Sequence, residues 1–240
     1  AGFALFLKLF AEAFLPLLDE WRIIIAVLAA ATMILGNLVA IQQHNIKRLL
    51  AYSSIGQVGF LLMGIAALSP DAGSALVLHL VGYVITNLAA FVCVIIYYNW
   101  TGKEEIEDYA GLAERAPFLA LSLSVALFSL AGMPLFAGFA TKFILFQAAS
   151  QEDLLWLAGV AVFMSFVSLY YYLTIVRQMY LGKPETETRF PTPWLEYGIL
   201  AVLVAGVFLV GLYPQPVFDL VEQGTAMIFT GQQTGVSATP

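Results

Sequence analysis

The chain of 240 residues is 61% hydrophobic and only 11% charged, a balance that excludes a soluble globular domain. Its apolar runs are long and recur along the chain, which makes it an all-α polytopic membrane protein; segments of about ten alternating residues, the mark of a β-barrel, are absent. The formal net charge of −6 says little about function, because the acidic residues concentrate in loops.

About seven crossings follow in order. The first, about 1–18, opens on Ala1 inside an apolar run with no initiator Met and no basic leader; it reads as a truncated transmembrane helix at the start of a fragment. Further spans cover about 23–43, 46–68 and 74–100. The next, about 116–149, would be about 50 Å long if straight, more than the ~30 Å bilayer core. Gly132, Pro134 and Gly138 lie in its middle and predict a break there. Spans of about 154–181 and 194–213 complete the set, with the loop and last helix at 182–216. The stretch 217–240 begins amphipathic, then turns polar, and reads as interfacial or disordered.

Basic residues sort sharply across this alternation. One side collects Lys47, Arg48, Lys103, Arg115, Arg177, Lys183 and Arg189; the other holds only Arg22. The positive-inside rule puts the first side in the cytoplasm and the C-terminus on the periplasmic or outer side of the cell membrane.

Lys142 is the most informative single residue. An ionisable group at membrane depth costs about 2.5–3.5 kcal/mol on insertion scales and marks a function by default. Low dielectric penalises its charged form, so a lysine there takes up and releases protons readily. The competing reading, a lysine snorkelling to the surface, needs the side chain to cover about 12 Å of helix. His79, Tyr83 and Asn87 recur at i, i+4 and i+8, one helix face, with Thr86 beside them. They suit a proton path, or equally a set of interhelical hydrogen bonds for His79. Lys47 and Arg48 read as cytoplasmic anchors of a span whose first half carries Tyr52, Ser53, Ser54 and Gln57, polar enough to line a hydrated face. Lys8 and Glu12 are spaced to pair, and Ser165, Ser168 and Tyr170 to Tyr172 stand as a second polar stretch. Cys93, the one cysteine, lies in an apolar run and reads as packing. His44 and His79 are too far apart for a short-spaced metal motif.

The segment Asn45-Ile46-Lys47-Arg48-Leu49-Leu50-Ala51-Tyr52-Ser53-Ser54-Ile55 closely resembles the hallmark of the antiporter-like subunits of respiratory complex I. Leu130-Ala131-Gly132-Met133-Pro134, Gly138-Phe139 and Lys142-Phe143 resemble that family's discontinuous helix and its lysine. Gly36-Asn37-Leu38 and Leu169-Tyr170-Tyr171-Tyr172-Leu173 match as well, so the likeness extends to about residue 216. Phe143 after the lysine, and Asn87 where the L-type branch carries a lysine, favour the N-type branch (subunit 2 in mitochondria and chloroplasts).

The resemblance implies the second inverted repeat of a fourteen-helix antiporter-like fold, covering 19–181. It implies proton translocation coupled to electron transfer from NADH to quinone in other subunits, with no cofactor in this chain. Lys142 would be the proton carrier, with Lys47, His79, Tyr83 and Asn87 along the path. Partners would be the other membrane subunits of complex I and the lipid bilayer, and no nucleic acid. An Mrp-type sodium/proton antiporter subunit, a membrane-bound hydrogenase subunit and a structural membrane subunit without transport remain as alternatives.

Overall fold

The computed structural model describes residues 2–183 and 194–230, and every regular element among them is helical. Five helical stretches are long and apolar enough to cross a membrane. They contain α2 (Leu18–Ile41), α3 (Ile46–Ala66), α4 (Pro70–Thr101), α8 (Leu155–Leu181) and α9 (Trp194–Leu212). Two half-helices of 15 residues, α6 (Pro117–Ala131) and α7 (Ala137–Gln151), make a discontinuous crossing between α4 and α8. The remaining helices are α1 (Gly2–Glu12), the single turn α5 (Leu112–Arg115) and α10 (Gln215–Thr230).

Two boundaries differ from the sequence reading. The first span stops as a helix at Glu12, and its 11 residues fall short of the ~20 needed to cross. A 3₁₀ turn at Leu15–Leu17, opened by Pro16, runs from there into α2. The amphipathic stretch after Pro214 is a helix packed beside α4 and α1. Its Thr225 hydroxyl lies 2.6 Å from that of Ser74, and Ile228 packs on the apolar core. Arg189 and the polar end beyond Thr230 lie outside the described residues.

Local chemistry sets the other ends. Asn45 caps α3 by accepting from the Lys47 and Arg48 amides at 3.1 and 3.2 Å. Ser69 caps α4 ahead of Pro70, and Gly102, at φ +68°, ends that helix left-handed.

Contacts between loops support the alternation of sides. At one end, Arg22 in the second turn of α2 binds Glu152 after α7 through its carbonyl and carboxylate. At the opposite end, Asn45 and Glu105 form an isolated antiparallel bridge, Gln178 of α8 donates to the Glu107 carbonyl, and Gly111 donates back to Gln178. The Ile46 amide donates to the Glu104 carbonyl at 3.0 Å and the Ile106 amide to that of His44 at 2.8 Å. The two ends are therefore each stitched from the loops that the charge pattern groups together.

Two large apolar cores, one toward each end, and a small third cluster fill the bundle. The first joins α1, α2, the second half of α3, the start of α4, α7 and the start of α8. The second joins the start of α3, the end of α4, α6 and the end of α8. Thus α7 lies mainly in the first core and α6 mainly in the second, and a small third cluster of Val125, Ala137, Val207 and Val210 joins both half-helices to α9. Close approach makes this possible. A Cβ on Gly36 would stand 2.5 Å from the Gly56 amide nitrogen, so α2 and α3 touch backbone to backbone.

Gly138 holds the same kind of contact inside the break, where an added Cβ would collide with the Ser129 carbonyl. Gly138→Ala is expected to destabilise the protein by about 3 kcal/mol through overpacking. Gly159→Ala, at a helix position with open space around it, should be neutral or slightly stabilising. Thermal unfolding of the two variants in detergent checks the contrast.

The loop clasp generates a pH effect. Hydrogen bonds from Lys47, at 2.6 Å, and from Asn45 hold the Glu104 carboxyl below the ordinary carboxylate range. The stabilisation that this gives is complete at neutral pH and fades as pH falls through the lowered folded value. Protection of the Ile46 and Ile106 amides against hydrogen exchange, corrected for intrinsic rates, should therefore weaken in acid. Glu104→Gln should lower it by about two- to five-fold at neutral pH and remove the acid dependence.

Candidate functional site

The site is built on a carbonyl that the sequence deprives of its helical partner. Four residues after Leu130 comes Pro134, which has no N–H to offer the Leu130 oxygen. The chain leaves the helix through Gly132 at φ +84°. The Gly132 and Met133 amides turn back to the Phe128 carbonyl at 3.1 and 3.0 Å, a Schellman-like stop. Leu135, at φ +80°, carries the chain onward, and Phe136 starts α7.

Into this opening reaches Lys142, one turn into α7 and 3% exposed. Its Nζ donates to the Leu130 oxygen at 2.9 Å and lies 4.4 Å from the Phe60 ring centroid. Gln57 of α3 donates to the same oxygen through Nε2 at 3.2 Å. A carbonyl has two lone pairs, so both donors fit. The negative end of the α6 dipole also lies here, a favourable surrounding for an ammonium.

A second ring of polar groups supports the first. Ser129 Oγ accepts from the Gly138 amide at 3.0 Å and lies 3.0 Å from Thr86 Oγ1. These bonds tie α6 to α7 and to α4. His79, 2% exposed, places Nδ1 3.0 Å from the hydroxyl of Thr141, the residue before Lys142. Its Nε2 is buried with no hydrogen-bond partner among the described residues. Tyr83 donates to Ser54 Oγ at 2.8 Å. A cavity of about 10 Å³ touches Gln57, His79, Tyr83 and Lys142, room for about one water. On its other flank Lys142 borders an apolar groove of about 360 Å³ against α8, lined also by Ser165 and Phe166.

The structure thus gathers Lys142, His79 and Tyr83, with Gly132, Pro134 and Gly138 at the break. It sets two predicted residues apart. Asn87 is half-buried one turn beyond Tyr83 and does not line the cavity, where Thr86 instead takes the inward position. The reason is geometric: successive i+4 steps drift around the helix, and by the second step the face has turned away. Lys47 stands about 15 Å along α3 from Gln57, paired with Glu104 and 3.7 Å above the Tyr98 ring centroid.

Other candidates take separate places. Lys8 and Glu12 pair at 3.8 Å on an exposed face. Tyr171 donates to Asn37 at 2.9 Å, tying α8 to α2, while Tyr170 is exposed. Cys93 packs in the second core. Sequence reasoning gave no role to Thr141, to Ser129 or to the Leu130 carbonyl. The spacing of Leu130 to Pro134 was the available signal for the last of these.

Comparison with known proteins accords with this geometry. Residues 1–168 match the family model described as NADH:quinone oxidoreductase/Mrp antiporter, transmembrane. The NADH-quinone oxidoreductase subunit N of Dehalococcoides mccartyi is 42% identical over 236 residues, 95% of this chain and 49% of that protein. The NAD(P)H-quinone oxidoreductase subunit 2 of Synechocystis sp. is 41% identical, over 98% of this chain and 48% of its own. The chain therefore spans about half the length of the curated relatives it matches. Among solved structures, respiratory complex I from Thermus thermophilus with bound aureothin contains a chain 30% identical, with a TM-score of 0.70 over 81% of this chain and 44% of that one. The Mrp complex from Dietzia sp. superposes with a TM-score of 0.86 at 21% identity, over 95% of this chain and 51% of that one, a likeness of fold. The chain belongs to the NADH:quinone oxidoreductase/Mrp antiporter transmembrane family.

Proposed function

We propose that this chain translocates protons across the cell membrane as part of a subunit N of an NADH-quinone oxidoreductase, with Lys142 as the proton carrier. The observation that carries the reading is the Lys142 nitrogen seated on a main-chain carbonyl inside a helix break, between two apolar cores. Low dielectric opposes the ammonium there, while the carbonyl and the helix end favour it. With these influences opposed, a modest change in a neighbouring charge shifts the proton on or off.

The polar groups follow an order along the membrane normal. Lys47 stands at the loop end of α3, and Asn87 lies on the same side of Tyr83. The Tyr83–Ser54 pair leads inward to Gln57 and Lys142. His79, joined to α7 through Thr141, lies toward the opposite end. Protons taken up from the cytoplasmic side pass along these groups to Lys142 and leave toward the outer side, where the C-terminus lies. Electron transfer from NADH to quinone occurs in other subunits, with no cofactor held by this chain. Its partners are the other membrane subunits of the complex and the bilayer.

Sodium/proton exchange of the Mrp type is the second reading, favoured by the shared fold. Among the described residues, the cavity beside Lys142 is lined by hydroxyl, amide and imidazole groups and no carboxylate, which favours a proton over a metal cation.

The test uses the complex reconstituted in vesicles with the complete subunit. Lys142→Ala should reduce transport through this subunit by about a hundredfold, read as a fall in protons moved per electron. Lys142→Arg should not restore it, since a guanidinium keeps its proton. Unchanged stoichiometry in Lys142→Ala would make this a structural subunit. A sodium requirement would favour the antiporter.

A further inference from the structure

We propose that Gln57 is a positioning residue that holds the Leu130 carbonyl in place of Lys142 whenever the lysine gives up its proton or leaves its seat. The inference rests on the proton-carrier reading of Lys142 above.

The argument starts from the carbonyl. Leu130 O is a buried main-chain acceptor that Pro134 leaves without an α-helical donor. Two side chains from different helices converge on it, Lys142 at 2.9 Å and Gln57 at 3.2 Å. They differ in one respect. The lysine is a strong donor when charged and a weak one when neutral. The amide of Gln57 donates with the same strength at any pH.

That difference has a consequence for transport. With Lys142 as sole donor, its deprotonation or departure would strand a buried carbonyl, so the protonated, seated state would be favoured and release slowed. A permanent second donor removes most of that penalty and narrows the gap between the two states. Gln57 is placed to do this from α3, across the junction from both half-helices, and it is itself 3% exposed. Such a residue acts through the carbonyl on which Lys142 sits.

The groups that titrate around this cavity are few. From α4, His79 and Tyr83 face it; from α7, Lys142 itself. Gln57 of α3, Ser129 of α6 and Thr141 of α7 do not titrate, nor do Ser165 and Phe166 of α8 on the groove side.

The experiment measures proton transport against pH in the reconstituted complex. Gln57→Leu, which has no donor, should move the transport optimum to higher pH by about a tenfold change in proton concentration, the weight of one buried hydrogen bond. Gln57→Asn, which keeps a carboxamide donor that does not titrate, should return the profile toward the parent. A uniform fall in transport with no movement of the profile would overturn the proposal and leave Gln57 as a packing residue. So would an unchanged profile in Gln57→Leu. Lys142→Ala in the same assay separates the two claims. If it abolishes transport while Gln57→Leu leaves the profile in place, the carrier stands and the positioning role falls. If Lys142→Ala transports normally, both fall. Thermal stability of each variant, measured in parallel, identifies any loss that comes from misfolding.

Discussion

One carbonyl that lacks a helical donor organises the centre of this molecule. A membrane interior offers no water to satisfy a backbone oxygen, so a helix broken at mid-depth must find donors among its neighbours. Pro134 removes the donor that Leu130 would have used, and Gly132 lets the chain turn away. Lys142 and Gln57 supply what is missing. The break and the buried charge, each unfavourable alone, are therefore mutually stabilising. The carbonyl needs a donor, and the ammonium needs an acceptor.

The rest of the bundle keeps that arrangement in register. The two larger apolar cores hold most of α6 and α7 apart, a small cluster with α9 joins them on one flank, and polar groups gather on the Lys142 side of the junction. Ser129 and Gly138 fix the separation of the half-helices by direct contact, so that Lys142 meets the carbonyl without a gap. Thr86 and His79 tie the same junction to α4, the longest helix. Loop contacts at the two ends of the bundle set the tilt and register of the long helices: the Arg22 contacts with Glu152 at one end, and the Asn45 and Lys47 contacts with the acidic loop at the other. Lys47 is thus a structural clasp in addition to any part in the proton path.

The sequence was most readable where one residue carries a large energetic consequence. A lysine in an apolar run, a proline and two glycines inside a span too long to be straight, and a one-sided distribution of basic residues each have few physical explanations. They pointed to the discontinuous helix. Reading was poorer where position depends on helix rotation. Asn87 shares a nominal face with His79 and Tyr83, yet two turns of drift carry it past the cavity, and Thr86 lies there instead. Lys47 read as a cytoplasmic anchor, and its bond to Glu104, a residue 57 positions away, has no local pattern to announce it. The stretch 217–240 read as interfacial or disordered because its amphipathic part had no visible partner; α4 and α1 pack against that part.

By itself, the sequence determined that the chain crosses a membrane as helices, that one crossing is interrupted, and that a lysine sits beside the interruption. Those follow from local hydrophobicity, from the missing proline N–H and from the cost of a buried charge. Only the tertiary structure decided which groups meet that lysine. The identity of the acceptor, the second donor from α3 and the His79–Thr141 link depend on how helices far apart in sequence rotate and cross. That geometry is set by close backbone contacts, such as those at Gly36 and Gly138, which no single stretch of sequence encodes.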